Sequence, residues 1–285
     1  EVIQFFTGYG VGGIGGSLIA AFLFAFVGMQ IAQISSRMKI KCHDKVLTSL
    51  FGPTGGALVD YMLIFFLYGV GVIMLAGAGA TLHQHFEWNF MVGSLIMTAF
   101  VILTLCLNLK SIIYLISLVI PFLLLIILAI MVYSIFTGNY DFAAQNVHAA
   151  QYEVIELLGW TVPSWALSGV LYAAFNVGVG FPMLAVIGGM TESEREAGQG
   201  GILGGLGLGI LIVLLNFTLF LNIDKLHGIE IPTLALAGKI HASLAYLTVF
   251  ALIAMIYSTA VGMFFAFTVR WAEPNTKKFK WVAIV

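Results

Sequence analysis

Ala173-Ala174-Phe175-Asn176-Val177-Gly178-Val179-Gly180-Phe181-Pro182 occupies the middle of an apolar segment running from about Trp165 to Met190. About 20 apolar residues are enough to cross a hydrocarbon core as a helix. Gly178 and Gly180 lower helix propensity here, and Pro182 removes an N–H and crowds the preceding turn. The stretch therefore predicts a helix broken at mid-depth. In lipid, freed backbone groups are costly unless protein or a water-filled cavity satisfies them. Such a break survives where it lines a site, so residues 175–181 are the first candidate for binding.

The composition around this stretch fixes the class. Of 285 residues, 61% are hydrophobic and 9% charged, with a mean hydropathy of +1.05, where soluble domains carry about 25% charged residues. Several runs reach spanning length, and none has the alternating pattern of an outer-membrane barrel. The reading is an all-α integral membrane protein surrounded by a lipid bilayer. A net charge of −1 gives no case for nucleic acid. Cys42 and Cys106 form no motif and read as free thiols.

Spans are expected at about 12–33, 58–82, 90–109, 112–136, 165–190, 198–223 and 244–271, with Pro121 inside the fourth. Basic residues orient them. Arg37, Lys39, Lys41, Lys45, Lys110, Arg195, Arg270, Lys277, Lys278 and Lys280 fall on one face, against Lys225 and Lys239 on the other. The richer face is cytoplasmic by the positive-inside rule. The chain opens on Glu1-Val2-Ile3-Gln4-Phe5-Phe6, too short to span, and closes on Lys280-Trp281-Val282-Ala283-Ile284-Val285, which reads as the start of another helix. Both ends read as cut, and no signal peptide is recognisable.

Two outer loops are long. Thr137 to Pro163 has an amphipathic look around Tyr152–Leu158, and Asp224 to Ser243 is apolar enough over Ile231–Ala237 for a short helix. Either serves as a lid or as an ordinary surface loop. Glycine-rich starts at Gly10–Leu18 and Gly198–Leu206 echo each other on opposite faces, as in an inverted repeat; close helix packing explains such glycines equally well.

The run Phe175-Asn176-Val177-Gly178-Val179-Gly180-Phe181 resembles the discontinuous sixth helix of LeuT-fold transporters in the amino acid–polyamine–cation superfamily. The wider sequence resembles the YkvI-type membrane proteins of that superfamily. This resemblance implies a LeuT-like inverted-repeat helical bundle, a single transporter domain over 1–285 with repeats at about 1–137 and 163–285. It would run from the outer half of helix 1 to the start of helix 9, so the unwound part of helix 1 precedes Glu1. Phe175 would be an aromatic gate, Phe181 pocket wall, and Asn176 an amide ligand. Backbone groups at Gly178 and Gly180 would meet the polar ends of the substrate.

Met255-Ile256-Tyr257-Ser258-Thr259-Ala260 resembles the hydroxyl pair that completes a sodium site in sodium-coupled members. A hard cation favours neutral oxygens of this kind, although each hydroxyl can instead back-bond one turn earlier. Asn216 and Thr218 can add an ion ligand or make interhelical hydrogen bonds, and Tyr68, Ser168, Tyr172 and Tyr257 are secondary pocket candidates.

The expected function is secondary active transport of a small zwitterionic solute, an amino acid or related amine, coupled to sodium across the cell membrane. No cofactor is implied beyond that ion. The alternatives are a proton-coupled transporter or exchanger, and an amino-acid-sensing membrane subunit that binds without carrying. His83, His85 and Glu87 make a poor metal motif, and Glu192, Glu194, Arg195 and Glu196 read as a solvated inner loop. Asp60 sits near the inner end of its span, where an acid at a helix N-terminus is favourable anyway. No acid, base or histidine reads as placed at mid-membrane, which argues against a carboxylate proton relay and against an intramembrane enzyme.

Overall fold

The computed structural model describes residues 1–40, 42–107, 109–137, 140–229 and 231–284. Lys41, among the basic loop residues, and the side chain of His85 lie outside what is described. Helices dominate: α1 Val2–Phe5, a 3-10 turn Thr7–Tyr9, α2 Val11–Met38, α3 Asp44–Phe86, α4 Phe90–Leu105, α5 Leu109–Thr137 and α6 Phe142–Ala149. A hairpin of β1 Glu156–Leu157 and β2 Trp160–Thr161 follows. Then come α7 Trp165–Met190, α8 Glu194–Leu221, a 3-10 turn Ile223–Lys225, α9 Pro232–Ile240, α10 Ala242–Val269 and α11 Lys277–Ile284.

Among the described residues, five helical stretches are long and apolar enough to cross a bilayer: Val11–Met38, Asp44–His83, Trp165–Met190, Glu194–Leu221 and Ala242–Val269. Phe90–Leu105 and Leu124–Ser134 are shorter apolar stretches. Helices therefore occupy all seven expected positions.

The chain divides into two compact units. One comprises Glu1–Ile31, Leu124–Val177 and Arg195–Thr248; the other comprises Ala32–Leu123, Gly178–Glu194 and Val249–Val285.

In the first unit, α2 and α8 meet along small residues. A Cβ on Gly205 would lie 2.4 Å from the Phe24 carbonyl oxygen, and one on Gly201 would lie 2.5 Å from that of Gly28. Backbones can approach this closely only where side chains are absent, and dispersion then holds the helices without any hydrophobic drive from lipid. Beside this seam Tyr172 stacks edge-on against Phe6 at 4.8 Å and Phe5 at 5.1 Å, in a core shared with Phe24, Ala173 and Ile212.

In the first of the two long loops, the amphipathic Tyr152–Leu158 stretch leads into the β1–β2 hairpin. The helix of that loop is α6, started by Asp141, whose Oδ1 accepts from Ala143 N at 2.9 Å and so caps the first turn. The chain then turns through Leu158 and Gly159, both at positive φ, which closes the hairpin and leaves no room for a helix there. α9 does form over the expected apolar run, with Pro232 at its first position and Leu236 and Ala237 buried.

In the second unit, α3 is two helical pieces joined at Gly52, whose φ of 71° suits a residue without Cβ, followed by Pro53. The piece after Pro53 is the apolar one. Met97 and Val101 of α4, Ile112 of α5, Val186 of α7, Val261 and Phe265 of α10 and Phe279 of α11 share one core. The end of α2 and the start of α8 are tied here by Arg37, whose guanidinium pairs with Glu194, its Nε donating to Oε2 at 3.1 Å. Lys39 Nζ donates to the carbonyls of Thr191 and Glu192 at 3.0 Å each. Glu194 is thus held by a partner across two elements, while both ends of the pair stay exposed and the pair contributes little stability.

Candidate functional site

The predicted break in α7 is absent. Trp165–Met190 is one α-helix of 26 residues with Pro182 inside it, and Gly178 and Gly180 are helical within it. Pro182 withholds a single N–H, that owed to the carbonyl of Gly178. Thirteen helical residues precede Gly178, so forfeiting one bond costs less than unwinding a turn in lipid, where every freed group needs a partner. The Gly178 carbonyl nevertheless loses its intrahelical donor. Among the described residues, a Cβ at Gly178 or Gly180 would meet nothing within 4 Å.

In the first unit, Phe175 is 40% exposed, and Asn176 Nδ2 donates to Tyr172 O at 2.9 Å, which leaves its amide oxygen available as an acceptor. In the second unit, Phe181 is buried, its ring edge-on to His43 at 6.3 Å. Val179 packs with Met263 of α10 and Leu67 of α3, and Met183 and Val186 pack into the core that holds Ala260 and Val261. The 178–186 stretch of α7 therefore runs beside the 256–263 stretch of α10, the part that carries Ser258 and Thr259. Ser258 Oγ donates to Met255 O at 2.9 Å, one turn back. That bond uses its proton and leaves its lone pairs.

Asn216 is fully buried and joins elements of the first unit: its Oδ1 accepts from Thr7 Oγ1 at 2.9 Å, and its Nδ2 reaches Ser17 Oγ at 3.4 Å. Thr218 back-bonds to Leu214 O at 2.8 Å. Both therefore act in packing here. Tyr172 is aromatic core, Ser168 donates to Phe5 O at 2.6 Å, Tyr257 hydrogen-bonds Thr104, and Tyr68 stacks on Phe264 and Phe267. His83 Nδ1 lies 2.7 Å from Trp88 O, and no group of three metal-ligating acids, histidines or cysteines occurs among the described residues.

The second unit also holds a charged cluster around Asp60 that sequence reasoning did not assemble. Asp60 is 2% exposed, and it lies seven residues beyond Pro53, about 10 Å along the apolar piece of α3. Arg270, just past the end of α10, donates from Nε to Asp60 Oδ2 at 2.6 Å. His43, fully buried in the loop before α3, brings Nε2 to 3.1 Å from Asp60 Oδ1, within ion-pair distance but not aligned as a hydrogen bond. The hydrogen bond to Asp60 makes the Arg270 guanidinium hold its proton more tightly than usual. A cavity of about 660 Å³ opens beside the cluster, lined by Cys42, Asp44 and Arg270 among others. Burial pushes the Cys42 thiol up to about 12, so it is neither a nucleophile nor a ligand at neutral pH. The signal in the sequence was Asp60 itself, an acid two turns into an apolar run; its partners come from 17 residues before it and 210 after it.

These features define a helical, multi-pass membrane protein. No family model matches the chain. Over 241 residues it is 25% identical to the "Uncharacterized membrane protein YkvI" of Bacillus subtilis (strain 168), a match covering 85% of the chain and 65% of that protein. It is also 25% identical over 272 residues to the "Uncharacterized protein YyaD" of the same organism, covering 92% of the chain and 73% of that protein. The chain thus spans less than two thirds of YkvI's own length.

Proposed function

We propose that this chain forms most of a secondary active transporter with LeuT-like inverted-repeat architecture. It carries a small zwitterionic solute, an amino acid or related amine, across the cell membrane together with sodium. One juxtaposition supports the reading. In the second unit, the glycine-flanked stretch of α7, with a carbonyl that Pro182 deprives of its donor, runs beside the Ser258–Thr259 stretch of α10. Hydroxyls with lone pairs to spare and one such carbonyl are the neutral oxygens a hard monovalent cation takes without any fixed charge being buried. The apolar composition and the similarity to YkvI, a membrane protein by its name, agree with this reading.

A second reading, proton-coupled transport, is favoured by a different observation: the buried Asp60 with His43 and Arg270. Ionisable groups inside membrane proteins commonly mark ion or proton pathways.

The test is thermal melting of the full-length parent protein in detergent, with a panel of amino acids and amines in sodium or in potassium at fixed ionic strength. Binding to the folded state raises the melting temperature by mass action. A shift that needs sodium and is lost in Ser258→Ala/Thr259→Ala supports the symporter. A shift indifferent to sodium removes the ion site and favours proton coupling, and binding without uptake into proteoliposomes assigns a sensing subunit instead.

A further inference from the structure

The cluster at the inner end of the second unit is unbalanced as it stands. Asp60 contributes one negative charge, Arg270 one positive, and Asp44, in the first turn of α3, a second negative. Asp44 bears electrostatically on both Arg270 and Cys42, which places it in the same field. Without a proton on His43 the sum is −1; with one it is zero. Asp60 is the carboxylate of the two that is held away from water, and Arg270 and a protonated His43 are the groups placed to neutralise it.

The hydrogen bonds are incomplete as well. Among the described residues, His43 Nδ1 and Asp44 Oδ1 are buried without a hydrogen-bond partner, and His43 Nε2 and Asp60 Oδ1 face each other without forming an aligned bond. His43 Nδ1 and Asp44 Oδ1 are the two without any partner, which is unusual, since buried polar groups are nearly always satisfied. A proton on the imidazole supplies donors on both ring nitrogens, where the neutral ring has one.

Access follows from the cavity. Its wall includes Cys42 and Asp44, the two neighbours of His43 in sequence, and Arg270, the partner of Asp60. The other charged groups on it are Lys39, whose ammonium is taken by two carbonyls, and Lys45 and Glu273, which are both exposed. From α7 the facing groups are uncharged: the Phe181 ring against His43, and Val186, Gly189 and Met190 on the cavity wall.

We propose that His43, Asp44, Asp60 and Arg270 form a proton-binding site served by this cavity, in which one exchangeable proton resides on the His43 imidazole against Asp60. The proton comes from hydronium in the cavity and adds to the free ring lone pair; water is left behind, and no bond between heavier atoms changes. Asp44 is the carboxylate of the site that lies on the cavity wall. The site ties the loop before α3, the part of α3 just beyond Pro53 and the end of α10 to the protonation state of one ring. It names the proton acceptor that the second functional reading needs, yet it stands without any transport measurement.

The experiment is histidine-selective nitrogen NMR on the full-length protein in detergent, without substrate, between about pH 5 and pH 8, where imidazoles change form. The His43 signal is identified by its loss in His43→Gln. The expected result is conversion from imidazole to imidazolium within that range, with proton affinity reduced tenfold or more in Asp44→Asn and again in Asp60→Asn. Asp44 is partly exposed, so Asp44→Asn keeps the test decisive if Asp60→Asn fails to fold. A His43 signal that stays neutral throughout, or one that converts at the same pH in Asp44→Asn, overturns the proposal. Neither outcome bears on whether the protein carries a solute.

Discussion

Arg270 Nε stands 2.6 Å from Asp60 Oδ2, joining a carboxylate that is 2% exposed on α3 to a guanidinium at the end of α10. The pair is asymmetric, because the Arg270 side chain keeps 30% of its surface while Asp60 has almost none. Removing the cation therefore strands a buried anion, whereas removing the anion leaves a cation that can turn to water. Arg270→Gln should destabilise by about 2–4 kcal/mol and Asp60→Asn by less, and the double variant should lose less than the sum. Melting temperatures of the three variants in one detergent check this; equal and additive losses would show that the pair is not coupled.

The seam between α2 and α8 gives a prediction with an internal control. A Cβ at Gly205 meets the Phe24 carbonyl oxygen at 2.4 Å, while a Cβ at the adjacent Gly204 meets nothing within 4 Å among the described residues. Gly205→Ala must push two backbones apart and should cost about 1–3 kcal/mol, as overpacking does. Gly204→Ala should be neutral or slightly stabilising, since alanine favours the helix over glycine. Thermal melts of both, side by side, decide the matter.

The apolar runs made the helices legible. Trp165–Met190 carries the same bounds in the sequence reading and in the structure, and the apolar run Ile231–Ala237 marked α9. The α7 break was misjudged because propensity counts what glycine and proline disfavour, but not what an unwound turn loses in lipid. The amphipathic look of Tyr152–Leu158 did not reveal the hairpin, which turns on positive φ at Leu158 and Gly159. His43 and Arg270 were invisible as partners of Asp60, because no local pattern links an acid in a helix to a loop residue 17 positions before it and a helix-end residue 210 positions after it.

Cys42 supplies a pH prediction. Its thiol is pushed from 9.0 to about 12 by burial, with smaller effects from neighbouring Asp44 and Arg270. The group is neutral when folded over a range in which the unfolded thiol ionises. Its contribution to stability is therefore complete below about pH 9 and is lost as pH rises toward 12. Maleimide labelling followed by mass spectrometry should find Cys42 unmodified in the folded protein at pH 7.5 and modified once denaturant is added. Rapid labelling without denaturant would show that the loop before α3 opens in the folded state.

Thr7, Asn216 and Ser17 separate a structural role from an ion-binding one. Asn216 Oδ1 accepts from Thr7 at 2.9 Å and Nδ2 reaches Ser17 at 3.4 Å, so both ends of the amide are occupied by protein groups in the first unit. Asn216→Ala removes both bonds and leaves two buried hydroxyls to find other partners. Interhelical hydrogen bonds in membranes are worth about 0.6 kcal/mol on average and at most about 1.7. The variant should therefore melt lower by an amount matching about 1–2 kcal/mol, equally in sodium and in potassium. If the loss appears only in sodium, the amide is an ion ligand after all and its bonds to Thr7 and Ser17 are secondary. Thr7→Val refines the comparison, because it removes the donor to Oδ1 while leaving the amide in place. A purely structural Asn216 predicts a loss of about 1 kcal/mol for Thr7→Val, again the same in either cation.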